Sequence, residues 1–109
     1  MNDYFRHWTR RLIYTSRVKF LADEAAAFWL IDAIASHLPG PMLRREEFMV
    51  WKLDVHPDKS ARLWVTDGNS DTPIVQQAIE FTDYPESHAE FYVVRTPGEP
   101  DVLMLPCDY

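Results

Sequence analysis

The chain has 109 residues, 47% of them hydrophobic and 14% aromatic, which excludes a disordered protein and predicts a single domain over residues 1–109 with one hydrophobic core. The formal net charge of −6 argues against direct nucleic-acid binding, because binding to a phosphate backbone needs clustered lysine and arginine. The charge is uneven: residues 1–45 carry 7 basic and 4 acidic side chains, whereas residues 46–109 carry 4 basic and 13 acidic ones.

The N-terminal segment predicts one or two helical turns over Tyr4–Arg11, with aromatic side chains at helical spacing. The next residues, Leu12–Thr15, are consistent with either a helix or a strand. Either Ser16 or Asp23 can act as the N-cap of the element that follows, because both have side-chain oxygens that accept hydrogen bonds from a first helical turn. A short helix followed by a longer one is therefore an alternative to a single helix.

The main helix is predicted over Val18–Leu38, where apolar residues recur at helical spacing. It ends at Pro39 and Pro41, since proline removes a backbone donor and clashes with the preceding turn. Between Ala25 and Ala35 only Asp32 is polar, so most of the circumference must be covered. The cover is either the sheet together with the N-terminal segment or a second copy in a homodimer.

After the prolines, short runs of β-branched and aromatic residues alternate with turn signals, a pattern typical of strands. The candidate strands are Phe48–Val55, Ala61–Thr66, Ile74–Thr82, Glu90–Thr96 and Val102–Leu105. Their connections are too short for crossover helices, so neighbouring strands should pair antiparallel. The sequence therefore predicts an α+β fold, with an N-terminal helical segment and one long apolar helix packed on a four- to five-stranded antiparallel meander.

Several phrases resemble those of a family of small uncharacterised bacterial proteins, a domain of unknown function found partly among cyanobacteria and mobile elements. The phrases that carry the resemblance best are Trp29-Leu30-Ile31-Asp32-Ala33-Ile34, Ile79-Glu80-Phe81-Thr82-Asp83-Tyr84-Pro85 and Leu103-Met104-Leu105-Pro106. The resemblance spans nearly the whole chain. It departs at Ser16-Arg17, where an acidic residue and a glycine are expected, so a tight turn is not implied there. The family implies a single compact domain and brings no catalytic residue.

Asp32 is the most conspicuous single residue, because a carboxylate buried among apolar side chains is costly without partners. One interpretation is structural: Asp32 accepts hydrogen bonds from neighbouring donors. The other is functional: Asp32 lies in a pocket between helix and sheet, together with an aromatic such as Trp51 or Trp64, in a small enzyme or ligand-binding domain.

Two polar motifs have the spacing of cation ligands, but each is incomplete. Asp54, His56 and Asp58 alternate around a proline, without a further ligand at a fixed distance. Asp67-Gly68-Asn69-Ser70-Asp71 begins like a calcium loop, but the glycine and glutamate that should follow are missing, so a hairpin turn is favoured. The sequence predicts no metal site and no cofactor.

The absence of a coherent catalytic set favours a non-enzymatic binding or regulatory module that acts through protein contacts. Its candidate contact surfaces include Asp83 and Tyr84, since tyrosine is common at interface cores. A more specific alternative is an acidic inhibitor of a basic nucleic-acid-binding protein. Cys107 is the only cysteine and the sequence has neither a signal peptide nor a membrane span, so a cytoplasmic location is expected.

Overall fold

The computed structural model describes residues 4–7 and 11–109 of the chain. The elements in chain order are β1 (Tyr4–Arg6), β2 (Leu12–Thr15), α1 (Ser16–Ala25), α2 (Phe28–His37), β3 (Phe48–Val55), β4 (Ala61–Thr66), β5 (Val75–Ile79), β6 (His88–Val94) and β7 (Asp101–Met104). A first 3₁₀ helix, Pro41–Leu43, precedes β3, and a second, Pro106–Asp108, follows β7. The fold is therefore mainly β-sheet with two short helices.

The strands of the described residues form one mixed sheet in the order β1-β2-β7-β6-β3-β4-β5. β2 and β7 run parallel, whereas the other neighbouring strands run antiparallel. The predicted α+β class, with one long helix on a four- to five-stranded antiparallel meander, is therefore wrong. The meander stops at β5, because β6 pairs with the other side of β3 and leaves β5 at an edge.

The single long helix predicted over Val18–Leu38 is also wrong. Its middle is broken at Ala26, which adopts a left-handed conformation with φ 50° and ψ 44°. The backbone N–H of Ala27 then donates to the carbonyl of Ala22 at 2.9 Å, a bond that ends α1 in the manner of a Schellman cap. The break lets α1 and α2 each turn an apolar side toward the core.

The predicted N-terminal helical segment is wrong for the residues that the structure describes. Tyr4–Arg6 is an edge strand that pairs antiparallel with β2, and residues 8–10 of the predicted segment lie outside the described residues. The side chain of Thr15, at the end of β2, accepts a hydrogen bond from the N–H of Val18 and so caps α1. Neither predicted cap, Ser16 nor Asp23, has this position.

The core lies on one face of the sheet, beneath the two helices. The side chains that fill it come from alternate strand positions and from one side of each helix; the largest fully buried ones include Trp51, Leu12, Ile34, Leu43, Met49, Leu53, Leu63 and Leu103. Arg95, just after β6, connects three parts of this layer. Its guanidinium forms a two-point ion pair with Asp101 and donates to the carbonyls of Leu38 and Leu43.

Candidate binding surface on the open face of the sheet

The face of the sheet opposite the helices is called the open face here. Side chains of a strand alternate between two faces, so β3, β4 and β6 present Lys52, Trp64 and Glu90 there while their neighbours Trp51, Leu63 and Phe91 enter the core. Both helices contribute their buried side chains to that core. The open face is consequently the side of the sheet that α1 and α2 leave uncovered.

A group of polar side chains surrounds an indole at the centre of the open face. We call it the Trp64 cluster, and its members are Lys52, Asp54, Arg62, Trp64, His88 and Glu90. The Nζ of Lys52 lies 4.9 Å and the Cζ of Arg62 lies 4.6 Å from the centroid of the Trp64 ring, distances at which cations attract an aromatic face. The cross-strand register places Lys52 between Trp64 and Glu90, so the cluster crosses three adjacent strands.

Asp54 accepts two hydrogen bonds within the cluster. Trp64 Nε1 donates to Asp54 Oδ2 at 2.7 Å, and His88 Nδ1 lies 2.8 Å from Asp54 Oδ1. Partial burial by itself would raise the pKa of Asp54, but the hydrogen bonds from His88 and Trp64, together with the charges of His88 and Arg62, outweigh it. The pKa of Asp54 therefore lies below its ordinary value, and the carboxylate is charged at neutral pH.

An aromatic patch, made of Phe48, Tyr92 and Tyr109, lies beside the Trp64 cluster. The rings of Phe48 and Tyr92 meet nearly edge to face, with centroids 5.0 Å apart, and the Tyr109 centroid lies 5.3 Å from Phe48 and 5.7 Å from Tyr92. Tyr109 as a whole is still 78% exposed. The patch therefore offers an apolar surface of tyrosine and phenylalanine to solvent.

An open groove of about 290 Å³ separates the aromatic patch from the β4–β5 connection. Phe48, Val50 and Tyr92 give it apolar walls, and Lys52, Asp71 and Glu90 contribute charge. Gly68, with φ +85°, allows the connection to pass close to the Phe48 ring, since a Cβ there would lie 3.2 Å from a ring carbon. The groove carries two carboxylates and one ammonium, so its local charge is negative.

The position of Tyr109 is fixed by its neighbour Asp108. The Asp108 side chain, only 1% exposed, accepts hydrogen bonds from the hydroxyl of Thr15 at 2.8 Å and from the N–H of Leu105 at 3.1 Å, and Arg17 Nε lies 3.1 Å from its other oxygen. Thr15 is the N-cap of α1. The start of α1 and the second 3₁₀ helix are thus tied together at the rim of the open face.

The predicted site residue Asp32 lies on α2, on the helix side of the sheet. Its side chain is 58% exposed and its Oδ1 lies 2.6 Å from Nε2 of His7, which is itself buried. Asp32 is thus exposed on α2 and contacts a buried histidine next to β1, so the question of how a buried carboxylate is compensated does not arise. Trp64 is on the opposite face, so these two predicted partners do not meet.

The other predicted site residues are also separated from one another. Trp51 is fully buried beneath α2 and stacks on His37, with ring centroids 5.8 Å apart. Tyr84 is 4% exposed and packs on the core, and burial raises the pKa of its hydroxyl. Asp83, beside it, is exposed. Of the five predicted residues, only Trp64 belongs to the open face.

The acidic residues of the second half of the chain do not form one surface. Asp54 and Glu90 lie on the open face within the Trp64 cluster. Asp67 and Asp71 lie in the connection at one end of β4 and β5, while Asp58, Glu80 and Asp83 lie at the opposite end of these strands. This distribution gives no support to a single carboxylate surface that covers a basic site.

Of the Trp64 cluster, the sequence analysis singled out Trp64 as a binding residue. It did not predict that Lys52, Asp54, Arg62, His88 and Glu90 surround it. Strand alternation already puts Lys52 and Asp54 on one face of β3, and Arg62 and Trp64 on one face of β4. The signal that was missing is the pairing of β6 with β3, which places His88 opposite Asp54 and Glu90 opposite Lys52. Local sequence does not encode which strands become neighbours.

The residues that the structure describes contain neither a metal-ligand cluster nor a membrane-spanning helix. No group of three or more His, Cys, Asp or Glu side chains there has the arrangement that would hold a metal ion. In the same part of the chain, neither helix has the length and apolar character needed to span a membrane.

The sequence comparison decides the family. A family model described as a family of unknown function (DUF6876) matches residues 1–109. The chain belongs to this family. The predicted membership of an uncharacterised domain family is thus confirmed. The family description assigns no activity to its members. No curated protein and no solved structure matches the chain significantly.

Proposed function

We propose that this DUF6876 protein is a non-enzymatic binding module that docks a protein partner on the open face of its sheet. The observation that carries the proposal is the continuous surface formed by the Trp64 cluster, the groove and the aromatic patch, on the face that the helices leave uncovered. Tryptophan, tyrosine and arginine are the residues that most often dominate the energy of protein interfaces.

Charge favours a protein that presents basic residues beside apolar ones. The net charge of −6 disfavours a nucleic acid or an anionic membrane surface and favours association with a basic partner. At the groove itself, Asp71 and Glu90 can receive a lysine or arginine of the partner, while Phe48 and Tyr92 supply apolar contact. The groove is open and small, so it suits one inserted side chain better than an enclosed small molecule.

The Trp64 cluster is suited to binding because its polar groups are held before a partner arrives. Asp54 already has two hydrogen-bond donors, and the Trp64 ring already lies against two cations. Groups that are ordered in the free protein lose less entropy on association. We also propose a cytoplasmic location, since the lone Cys107 cannot form an intrachain disulfide.

The test uses capture from an extract of the source organism followed by binding with purified components. Wild-type protein, Trp64→Ala and Tyr92→Ala are compared with the control Phe20→Ala, which removes an aromatic ring that is 67% exposed on α1. A supporting result is a protein that wild type and the control retain but both open-face variants lose. With the purified partner, each open-face variant should raise Kd by roughly tenfold or more in isothermal titration calorimetry.

Circular dichroism of every variant checks that the fold is intact. A partner that Trp64→Ala and Tyr92→Ala retain as well as wild type does would refute the open face as the docking surface. Loss of the partner by Phe20→Ala alone would refute it too, because it would place the contact on the helix side.

A further inference from the structure

The strand β5 leaves a backbone edge without a partner. Within residues 4–7 and 11–109, β5 hydrogen-bonds to β4 on one side, from Val75 opposite Val65 to Ile79 opposite Ala61, and no strand lies on its other side. Half of the N–H and C=O groups of an edge strand point outward, and they form a template on which a further strand can pair. Such an edge needs either protection or a partner.

The residues of β5 lack the features that usually protect an edge. Natural edge strands carry charged side chains, an internal proline or a bulge, all of which oppose pairing. The segment 72–79 has no charged residue, although 26% of the chain is charged, and Pro73 lies before the strand. The five residues pair with β4 in an uninterrupted register. Just before the strand, the N–H of Ile74 donates to the carbonyl of Val65, the residue that Val75 opposes. Within Val75–Ile79, no charged side chain and no proline opposes an added strand.

The order of side chains in β5 is self-complementary. If two copies paired antiparallel about a two-fold axis at Gln77, Val75 would face Ile79 of the second copy and Gln76 would face its Ala78. Gln77 faces its own equivalent, and two amides can hydrogen-bond to each other. Every opposed pair would thus join two uncharged side chains, so no like charges would meet.

The chain limits this pairing to the uncharged residues. After Ile79 it bends, and the N–H of Thr82 donates to the carbonyl of Lys59 at 2.8 Å. The strand ends at Ile79 and the chain bends at Glu80, so the strand-to-strand pairing involves the uncharged residues Val75–Ile79.

One side of α2 extends the surface beside β5. His37 Nε2 lies 2.7 Å from Oε1 of Gln77, which brings this side of the helix to the β5 edge. Trp29 and Ala33 precede His37 at one-turn intervals and are only partly buried. Strand pairing alone would bury little of the roughly 1,200–2,000 Å² typical of stable interfaces, so an interface of that size would also have to include this side of α2.

We propose that two copies of the chain form a homodimer by antiparallel pairing of β5 with β5 about a two-fold axis at Gln77. The interface is isologous, with the same strand and the same side of α2 on both copies. The two sheets then become one continuous sheet with both helix layers on one side. This interface is distinct from the proposed partner-binding face, and the two adjoin where Arg62 Nε of the Trp64 cluster donates to Gln76 Oε1 at 2.8 Å.

The test is a charge exchange at the axis. Wild type should have twice the mass of one chain by light scattering coupled to size exclusion, over a wide range of concentration. In Gln77→Lys two ammonium groups meet at the axis, and in Gln77→Glu two carboxylates meet, so each variant alone should be monomeric. Mixing the two variants places a lysine against a glutamate and should restore a dimer that contains one chain of each.

The exchange separates the interface from misfolding, because a misfolded variant would not recover on mixing. Thr96→Lys and Thr96→Glu, at an exposed position in the β6–β7 turn, are the matched controls and should remain dimeric. A monomeric wild type would overturn the proposal. That is also the result expected if the free edge of β5 binds a peptide of another protein instead of a second copy. Variants at Gln77 that remain dimeric, or that stay monomeric when mixed, would overturn this pairing as well.

Discussion

Replacing Arg95 by alanine should destabilise the protein more than any change to an exposed arginine. The guanidinium donates to Asp101 from Nε at 3.1 Å and from Nη2 at 2.9 Å. It also donates to the carbonyls of Leu43 at 2.7 Å and Leu38 at 2.9 Å, beyond the end of α2. Alanine would leave the carboxylate and both carbonyls without these donors.

The magnitude follows from burial. The Arg95 and Asp101 side chains are 20% and 13% exposed, so solvent screens the pair only partly. Removing one partner of a fully buried pair costs about 3–5 kcal/mol, and the residual exposure places this case near the lower end, at about 3 kcal/mol. For a chain of this size that loss lowers Tm by about 15 °C.

Urea unfolding followed by circular dichroism measures this loss as a change in the free energy of unfolding. Arg44→Ala, an exposed arginine in the same region, is the control and should stay within about 0.5 kcal/mol of wild type. A double-mutant cycle with Asp101→Ala should give a coupling energy of about 1–3 kcal/mol. A loss below about 1 kcal/mol for Arg95→Ala would refute the reasoning, since it would mean that water replaces the guanidinium at little cost.

Three further predictions follow from the same structure. The pKa of Asp54 is lowered in the folded state, so its charged form adds stability above the ordinary carboxyl pKa of about 4. This stability is lost as pH falls through the folded-state pKa. Between pH 7 and about pH 3, urea titrations should therefore show a smaller loss of stability for Asp54→Asn than for wild type. The pKa of Tyr84 is raised in the folded state, so its effect on stability has the opposite dependence on pH. The stability that the neutral hydroxyl contributes is present below about pH 10 and is lost above it. In thermal unfolding, Tyr84→Phe should therefore lose less stability at alkaline pH than wild type. Gly98→Ala should lower the free energy of unfolding by about 1 kcal/mol, because φ at this position is +81°. Gly68→Ala should lower it further, because the added Cβ would also contact the Phe48 ring. Equal losses for the two variants in urea unfolding would contradict this difference.

The part of the fold that sequence predicts well is the pair of central strands. The predicted bounds Phe48–Val55 and Ala61–Thr66 agree with β3 and β4 to the residue. Both strands are rich in β-branched and aromatic residues, and the turn between them contains Pro57 and Asp58, so the local signals agree with the tertiary structure. Strand alternation also puts Trp64 on the face opposite Leu63.

The errors arise where distant contacts overrule local preference. Ala25-Ala26-Ala27 consists of the strongest helix former, yet the chain breaks there because both helix segments must reach the same core. β2 pairs with the short β1 on one side and, on the other, with β7 from the far end of the chain, where Leu12 lies opposite Asp101. A short strand held by so remote a partner leaves no periodic signal of its own.

The proposed dimer interface at β5 determines how the two open faces of a dimer are oriented. A two-fold axis perpendicular to the sheet, which pairing of β5 with β5 requires, puts both open faces on the same side of the joined sheets. A dimer therefore presents two copies of the Trp64 cluster in one direction, and a partner with two binding sites would gain roughly 10²–10⁴-fold in apparent affinity if its spacing allows both contacts. Gln77→Lys should abolish that gain and leave the affinity for a single-site partner unchanged, whereas Trp64→Ala should weaken both. If Gln77→Lys weakened single-site binding, the two surfaces would not be independent.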